Sequence, residues 1–222
     1  MIDVVVTDLV VEPRAVGTLG LLLSDAERAR ACRFASDRDA RRFVVARARL
    51  RQLLGRRLAV AAGSVELARG AHGKPRLARD RDATLRFNAS RSGDVAVYAF
   101  ASGREVGVDV ESIRANPDAE GIVARWFTPR EQAAYRALDH TRKPLAFLAC
   151  WTRKEAVVKA LGEGLSCPLD RVEAGLAAGG PVRAGGHSWS VKTFFPAPGY
   201  VAAVAVGVSA GPQSLRPADG ES

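Results

Sequence analysis

The chain has 222 residues, of which 47% are hydrophobic and 26% are charged, and its formal net charge is +9. This balance is typical of a soluble globular protein, so an ordered core is expected. The three cysteines, Cys32, Cys150 and Cys167, form no CxxC pair and leave an odd count, so neither a disulfide framework nor a zinc knuckle is supported. We therefore expect a protein of the reducing cytoplasm, with one large domain or two small ones.

Two segments bear on secretion and on membranes. The first residues include Asp3, Asp8 and Glu12, where a signal peptide would need an unbroken apolar stretch. Residues 194–215 carry no charge, but prolines and glycines interrupt them, which predicts strand and turn. We therefore expect a cytoplasmic protein without a membrane partner.

The positive charge is concentrated in one stretch, because residues 28–57 contain eleven arginines and two acids. Such a stretch indicates either a polyanionic ligand or a solvated basic helix face. A basic nucleic-acid-binding module is the main alternative function. However, the stretch offers only Phe34 and Phe43 for stacking on bases, so we expect no nucleic acid among the partners.

Hydrophobic periodicity and turn residues divide the chain into strands and helices. Two helix starts have the spacing of a capping box, Ser24 with Glu27 and Thr128 with Glu131. The predicted elements are a strand at 2–11, a short helix from Ser24, a long helix from Ser36 to Leu58, strands at 85–88, 94–101 and 105–111, helices at 117–126, from Thr128 and at 141–161, and strands at 188–195 and 200–208.

This order, with strand, helices and strands occurring once in each part, allows an α+β fold of two similar halves. We place the halves at 1–104 and 105–209, followed by a loose tail at 210–222. No residue-by-residue repeat is visible in the sequence.

The strand at 106–111 carries the first candidate site residues. Side chains two apart share a face of a strand, so Gly107, Asp109 and Glu111 point to the same side. Two carboxylates side by side repel each other unless a cation lies between them or solvent screens them. Taken alone, the strand leaves both explanations open.

A third carboxylate lies in the helix at 141–161, where Glu155 and Lys159 are one turn apart on the polar face. They could form an ordinary surface pair. Alternatively, Asp109, Glu111 and Glu155 hold Mg²⁺ on a pyrophosphate, and Lys159 contacts the phosphate or the leaving group. Mg²⁺ suits this set because it prefers oxygen ligands and keeps positions open for phosphate and water.

Two further segments could bind phosphate. In FNASRS at 87–92, a strand running into a polar turn, small hydroxyls let a phosphate approach the backbone and Arg91 adds charge. The Gly73-Lys74-Pro75 loop is similar in kind. Each is also ordinary turn chemistry, so neither identifies a ligand by itself.

Together these segments resemble the 4′-phosphopantetheinyl transferase superfamily, in particular its Sfp-type enzymes. The resemblance covers about residues 25–170, and the helix motif is its most specific part. The matching motifs are GKPRL at 73–77, FNASRS at 87–92, GVDVES at 107–112, FTPREQ at 127–132 and WTRKEAVVKALGEGL at 151–165.

The resemblance implies a monomeric, pseudo-dimeric α+β enzyme with coenzyme A in the cleft between its halves. Such an enzyme moves the phosphopantetheine arm of coenzyme A to a serine of an apo acyl or peptidyl carrier protein and releases adenosine 3′,5′-bisphosphate. The carriers serve fatty acid, polyketide or nonribosomal peptide synthesis.

Family roles can be carried over to matching positions of this chain. The resemblance assigns Mg²⁺ to Asp109, Glu111 and Glu155, makes Glu155 a candidate base for the serine proton, and puts Lys159 on the pyrophosphate. The cofactor-binding set that it implies is Arg42, Lys74, Ser90, Arg91, Lys154 and Lys159.

Arg91 departs from the family pattern, which usually has histidine at this position. Arginine can bind phosphate without titrating, so binding can persist with a changed pH dependence. The departure leaves a coenzyme A binder without catalysis as an alternative. Glu131 matches an acid that is sometimes given a catalytic role, but we favour a purely structural role in its capping box.

Overall fold

The computed structural model describes residues 2–70, 75–78, 84–162, 167–176 and 179–208. The first half contains β1 (Ile2–Asp8), α1 (Pro13–Gly20), α2 (Asp25–Ala31), α3 (Asp37–Leu58), β2 (Leu67–Arg69), β3 (Pro75–Leu77), β4 (Leu85–Ser92) and β5 (Val95–Ser102). The second contains β6 (Val106–Ser112), α4 (Ala119–Trp126), α5 (Pro129–Arg136), α6 (Lys143–Leu161), β7 (Gly179–Ala184), β8 (His187–Phe194) and β9 (Tyr200–Gly207).

The two halves share the order of three antiparallel strands, to which β7 adds a fourth in the second half. The first sheet has the order β1-β5-β4 and the second has the order β6-β9-β8-β7, and all their pairs are antiparallel. In each half the first strand therefore pairs with the last, and three helices separate the first strand from the closing hairpin. β2 and β3 form a separate two-stranded sheet. This arrangement confirms the predicted α+β tandem.

Several elements differ from the prediction. The opening strand stops at Asp8, and a helix that the sequence did not predict, α1, starts with Pro13 at its first position. The strands β2, β3 and β7 were also missed. Most important for the site, the predicted polar turn after Asn88 is wrong, because β4 continues to Ser92.

The long helices α3 and α6 are the main packing elements. α3 buries Val45, Leu50 and Leu54 against the first sheet, and α6 buries Ala156 and Val157 against the second. Both end at a residue with a left-handed backbone, Ala59 after α3 and Gly162 after α6. Both helix ends agree with the prediction.

α6 approaches β6 unusually closely at Gly107. A Cβ atom added to Gly107 would lie 2.0 Å from the carbonyl oxygen of Ala156 and 2.5 Å from the amide nitrogen of Ala160. Only glycine therefore fits here. The contact places the polar face of α6 beside the face of β6 that carries Asp109.

A buried ion pair ties the first half together. Glu27 forms the capping box of α2 with Ser24 and accepts a hydrogen bond from Arg51 Nε at 2.8 Å. Arg51 of α3 also donates to the carbonyl of Val65, at 2.8 Å, in the loop after the helix. The capping glutamate thus links two helices and the following loop.

The second half repeats this arrangement. Glu131 forms the capping box of α5 with Thr128, and Glu131 Oε2 lies 2.7 Å from Lys154 Nζ of α6. Lys154 Nζ donates to the carbonyls of Leu169 and Val172 in the following loop. This is the residue-level repeat that the sequence did not reveal, and it confirms the structural role of Glu131.

In the part of the chain that the structure describes, no helix is both long and apolar enough to cross a bilayer.

Candidate active site

Asp109 is the centre of the candidate site and is only 3% exposed. Its Oδ1 accepts hydrogen bonds from Lys159 Nζ at 2.5 Å and from Ser90 Oγ at 2.8 Å. Its Oδ2 is buried and has no hydrogen-bond partner among the described residues. A buried carboxylate oxygen without a partner is costly, so Asp109 is half satisfied by protein and half available to a ligand.

Glu111 and Glu155 lie within electrostatic reach of Asp109. Burial raises the pKa of Glu111 and the charge of Asp109 raises it further, although Ser92 Oγ donates to Glu111 Oε2 at 3.0 Å. Burial also raises the pKa of Glu155, and against the pull of Lys159 the charges of Asp109 and Glu111 add to the increase. Each ionised carboxylate therefore makes the ionisation of the other two less favourable.

The ammonium group of Lys159 neutralises part of this negative charge. Burial opposes its protonation, but Asp109, Glu155 and Glu111 together outweigh burial and raise the pKa of Lys159. The side chain as a whole is 29% exposed, while its ammonium group is hydrogen-bonded to Asp109 and Ser90. One protonated lysine does not balance three ionised carboxylates, so the site keeps negative charge that a further cation can neutralise.

The carboxylates suit a hard cation, although the metal site is not preformed. Among residues 2–70, 75–78, 84–162, 167–176 and 179–208, no three His, Cys, Asp or Glu side chains already converge as metal ligands. Lys159 occupies Asp109 Oδ1 in this arrangement. The donors are all oxygen, and Asp109 Oδ2 lacks a partner, which fits Mg²⁺ better than a nitrogen- and sulfur-seeking metal.

Three side chains of β4 join it to β6 at intervals of two residues. Asn88 Oδ1 accepts from the backbone N–H of Val108 at 2.9 Å. Ser90 donates to Asp109 and Ser92 donates to Glu111. The prediction named Ser90 alone and missed Asn88 and Ser92. The signal was present, since FNASRS and GVDVES share the same two-residue spacing.

A basic cavity of about 200 Å³ lies on the first-half side of Ser90. Ser90 and Arg91 line it together with Arg30 and Arg47, which the prediction did not name. The guanidinium groups of Arg30 and Arg47 lie 5.2 and 5.8 Å from the ring centre of Phe43. The cavity can hold a small anion beside an aromatic ring.

A second cavity, of about 480 Å³, begins at Glu111. Ile122, Phe147, Leu148 and Trp151 give it an apolar wall. Phe147 and Trp151 stack with ring centres 6.3 Å apart. The acidic site is therefore flanked by the basic cavity lined by Ser90 and by this apolar one, which sequence reasoning missed because its wall combines residues far apart in the chain.

The remaining predicted cofactor residues have separate outcomes. Lys74 lies outside the described residues. Arg42 is bound to Asp94, with Nε 2.7 Å from Asp94 Oδ1, and does not line the basic cavity. Lys154 is 0% exposed and its ammonium is held by Glu131 and two carbonyls, so this arrangement gives a ligand no access to it.

Most arginines of the cluster at 28–57 stabilise the fold through ion pairs within the protein. At least six of its eleven arginines form ion pairs with carboxylates of the described residues. These six are Arg28, Arg38, Arg42, Arg47, Arg51 and Arg57. The charge of the stretch alone therefore does not support nucleic-acid binding.

Two family models match the chain. The model described as 4′-phosphopantetheinyl transferase, N-terminal, matches residues 15–103, and the model of the 4′-phosphopantetheinyl transferase superfamily matches residues 105–205. The two matches follow one another along the chain, as the two structural halves do.

Named relatives agree with the models. The 4′-phosphopantetheinyl transferase HetI of Nostoc is 37% identical over 190 residues, which is 85% of this chain and 80% of the relative. The transferase Sfp of Bacillus subtilis is 30% identical over 186 residues, or 82% of this chain and 81% of the relative.

A solved structure, the holo-[acyl-carrier-protein] synthase of Thermotoga maritima, aligns with 46% of this chain and 62% of its own at 21% identity. Its TM-score of 0.33 is too low to carry an argument. The family models and the two relatives, each covered over most of its length, confirm the resemblance seen in the motifs: the chain belongs to the 4′-phosphopantetheinyl transferase superfamily.

Proposed function

We propose that this protein is a magnesium-dependent, Sfp-type 4′-phosphopantetheinyl transferase that modifies a serine of an apo acyl or peptidyl carrier protein. The observation that carries the proposal is the coupled group of Asp109, Glu111, Glu155 and Lys159 between a basic and an apolar cavity. Coenzyme A suits this order of basic cavity, acidic site and apolar cavity, because its diphosphate joins a charged nucleotide to a long organic arm.

Coenzyme A would lie across the two halves. Ser90, Arg91, Arg30 and Arg47, from residues 1–104, would bind phosphate of the nucleotide part. Lys159, from residues 105–209, would contact the diphosphate. The cavity at Glu111 would receive the phosphopantetheine arm, whose amide and methylene groups suit a wall with two aromatic rings.

The three carboxylates would hold Mg²⁺, which neutralises charge on the diphosphate when bound. Asp109 Oδ2 is the ready ligand because it lacks a protein partner among the described residues. Ser90 and Ser92 hold the other carboxylate oxygens by donating hydrogen bonds to Asp109 and Glu111. These hydrogen bonds preorganise the acids before substrate arrives.

Transfer needs a base and a stabilised leaving group. Glu155 would remove the proton from the carrier serine as a general base. The serine oxygen bonds to the β-phosphorus as the bond to the bridging oxygen breaks, and adenosine 3′,5′-bisphosphate leaves. Lys159 stays protonated beside the charge that develops.

The proposal includes a monomer acting in the cytoplasm on carriers of fatty acid, polyketide or nonribosomal peptide synthesis. The names of HetI and Sfp support transferase activity. The internal tandem of halves supports a monomer, because one chain supplies both sides of the cleft.

Mass spectrometry of carrier proteins tests the proposal. Purified protein with Mg²⁺ and coenzyme A should add one phosphopantetheine mass to an apo acyl or peptidyl carrier, and EDTA should abolish the addition. No mass gain across several carriers, with folded protein, would contradict it. Tight coenzyme A binding without transfer, with transfer restored by Arg91→His, would instead identify the non-catalytic binder.

A further inference from the structure

The two-residue turn between β4 and β5, Gly93 and Asp94, contacts the second half directly. Gly93 has a φ of +51°, and a Cβ atom there would lie 2.7 Å from the hydroxyl oxygen of Tyr200. The backbone N–H of Asp94 donates to the same hydroxyl at 3.1 Å. The first residue of β9 thus rests on the tip of a hairpin from the other half.

Arg42 of α3 holds this turn from the opposite side. Its Nε and Nη2 lie 2.7 and 2.5 Å from Asp94 Oδ1, and Arg38 Nη2 lies 3.2 Å from Asp94 Oδ2. The Arg42 side chain is only 14% exposed, so the pair is partly shielded from water. Charge-assisted hydrogen bonds of this kind restrict orientation more than neutral ones do.

The turn is covalently continuous with the serines of the site. Ser92, directly before Gly93, donates to Glu111, and its oxygen accepts from the backbone N–H of Ser112 at 3.1 Å. Ser112 in turn pairs with Tyr200 in the second sheet. A closed ring of contacts therefore links Ser92, the turn, Tyr200 and Ser112.

We propose that Arg42 is a positioning residue for phosphopantetheine transfer: through Asp94 and Tyr200 it keeps β4 in register with β6, so that Ser90 and Ser92 orient Asp109 and Glu111. This proposal rests on the proposed function. It replaces the expectation from the family resemblance that Arg42 contacts a phosphate of coenzyme A.

The two roles make opposite predictions. A residue that contacts a phosphate contributes to the binding of coenzyme A, so substituting that residue raises KM for coenzyme A. A residue that positions the acids affects the metal and the transition state, so its loss lowers kcat and raises the Mg²⁺ concentration needed for half-maximal rate. A shift of about 1 Å in reacting groups can cost about 10²-fold in rate.

The experiment compares Arg42→Ala and Tyr200→Phe with wild type and with Arg41→Ala, an exposed arginine next to Arg42 on the same helix. Steady-state transfer gives kcat, KM for coenzyme A and the half-saturating Mg²⁺ concentration. Calorimetry without metal gives coenzyme A affinity, and electron paramagnetic resonance gives Mn²⁺ affinity in the absence of carrier.

We expect Arg42→Ala to lower kcat by about 10-fold to 100-fold. The Mn²⁺ affinity should fall several-fold in parallel, while coenzyme A affinity without metal stays within about twofold. Tyr200→Phe, which removes only one hydroxyl, should change the same quantities less. Expressed as free energies, the loss of activity in the double variant should be smaller than the sum of the losses in the two single variants, because both residues act on one turn.

Two outcomes overturn the proposal. One is a large loss of coenzyme A affinity in Arg42→Ala with unchanged kcat and Mn²⁺ affinity. The other is a set of wild-type values in Arg42→Ala and Tyr200→Phe alike. If Arg42→Ala does not fold, the Tyr200→Phe result decides. If wild type transfers nothing to any carrier, the proposed function fails, whereas the Mn²⁺ comparison still decides the role of Arg42.

Discussion

The two halves of this molecule share strand order, helix order and the buried pair between a capping glutamate and a cation of the long helix. They differ in what they carry on that shared scaffold. When the two capping glutamates are placed in correspondence, Val5 and Thr7 of β1 occupy the positions of Asp109 and Glu111. The acidic pair therefore exists in one half alone.

The long helices show the same contrast. When Arg51 and Lys154, the cations of the buried pairs, are placed in correspondence, Gln52 and Arg56 of α3 occupy the positions of Glu155 and Lys159. The comparison teaches that the repeated pair stabilises the fold, whereas chemistry comes from polar positions that differ between the halves. The first half instead contributes the arginines around the basic cavity.

The largest expected effect concerns the buried pair of the second half. Glu131 and Lys154 are 1% and 0% exposed, whereas Glu27 and Arg51 are 14% and 4% exposed. Removing one partner leaves an uncompensated buried charge, so Glu131→Ala should cost about 3–5 kcal/mol of the free energy of unfolding. Glu27→Ala should cost less, and urea titration of both variants measures the difference. Equal costs would break this part of the comparison.

The next effect tests the assignment of chemistry to the second half. Asp109→Ala or Glu155→Ala should lower the rate of transfer at least about 10²-fold, as expected for loss of a preorganised electrostatic group. Gln52→Ala, the corresponding position in α3, should transfer at close to the wild-type rate. Mass-spectrometric rates on one carrier provide the measurement, and an active Asp109→Ala enzyme would refute the assignment.

A third prediction concerns the close contact between β6 and α6. Gly107→Ala forces a methyl group against the Ala156 carbonyl and should destabilise the protein by about 1–3 kcal/mol. It should also reduce transfer, because Asp109 moves relative to Glu155. Gly121→Ala in α4 is the control, since a Cβ there meets nothing within 4 Å.

Gly121 lies in the first turn of α4, where alanine gains less than the roughly 0.5–1 kcal/mol found in the middle of a helix, so the control should be neutral or slightly stabilising. Thermal unfolding with transfer rates on both variants separates the two effects. A Gly107→Ala protein that is as stable and active as wild type would show that β6 and α6 can separate without consequence.

The smallest effect is a pH dependence of metal stabilisation. The pKa values of Glu111 and Glu155 are raised by burial and by neighbouring charge, so in the metal-free protein their ionisation costs stability as pH rises through those pKa values. A bound cation removes this cost. The increase in Tm caused by Mg²⁺ should therefore grow as pH rises above the ordinary carboxyl pKa of 4.5. An increase independent of pH would contradict this coupling.

The sequence predicted the locally determined features well. Both capping boxes lie within four residues, and the ends of α3 and α6 follow from hydrophobic period and terminal residues. The shared face of Asp109 and Glu111 follows from strand geometry alone. Such features need no knowledge of distant residues.

Features that depend on distant partners could not be predicted from local sequence patterns. The family resemblance implies that Lys154 binds cofactor, and no local sequence pattern indicates that Glu131, 23 residues earlier, holds it inside the protein. The resemblance likewise implies that Arg42 contacts phosphate, whereas its partner in the structure, Asp94, is 52 residues away and cannot be inferred from local sequence patterns. The joining role of Asn88 depends on the neighbouring strand β6 in the same way.

Anomalous diffraction from a crystal of the protein with coenzyme A and Mn²⁺ tests the central claim most directly. We expect one Mn²⁺ on the diphosphate, about 2.0–2.2 Å from oxygens of Asp109, Glu111 and Glu155, with Lys159 at the phosphate. A Mn²⁺ ion bound elsewhere, with these three carboxylates turned toward solvent and away from the diphosphate, would contradict the account.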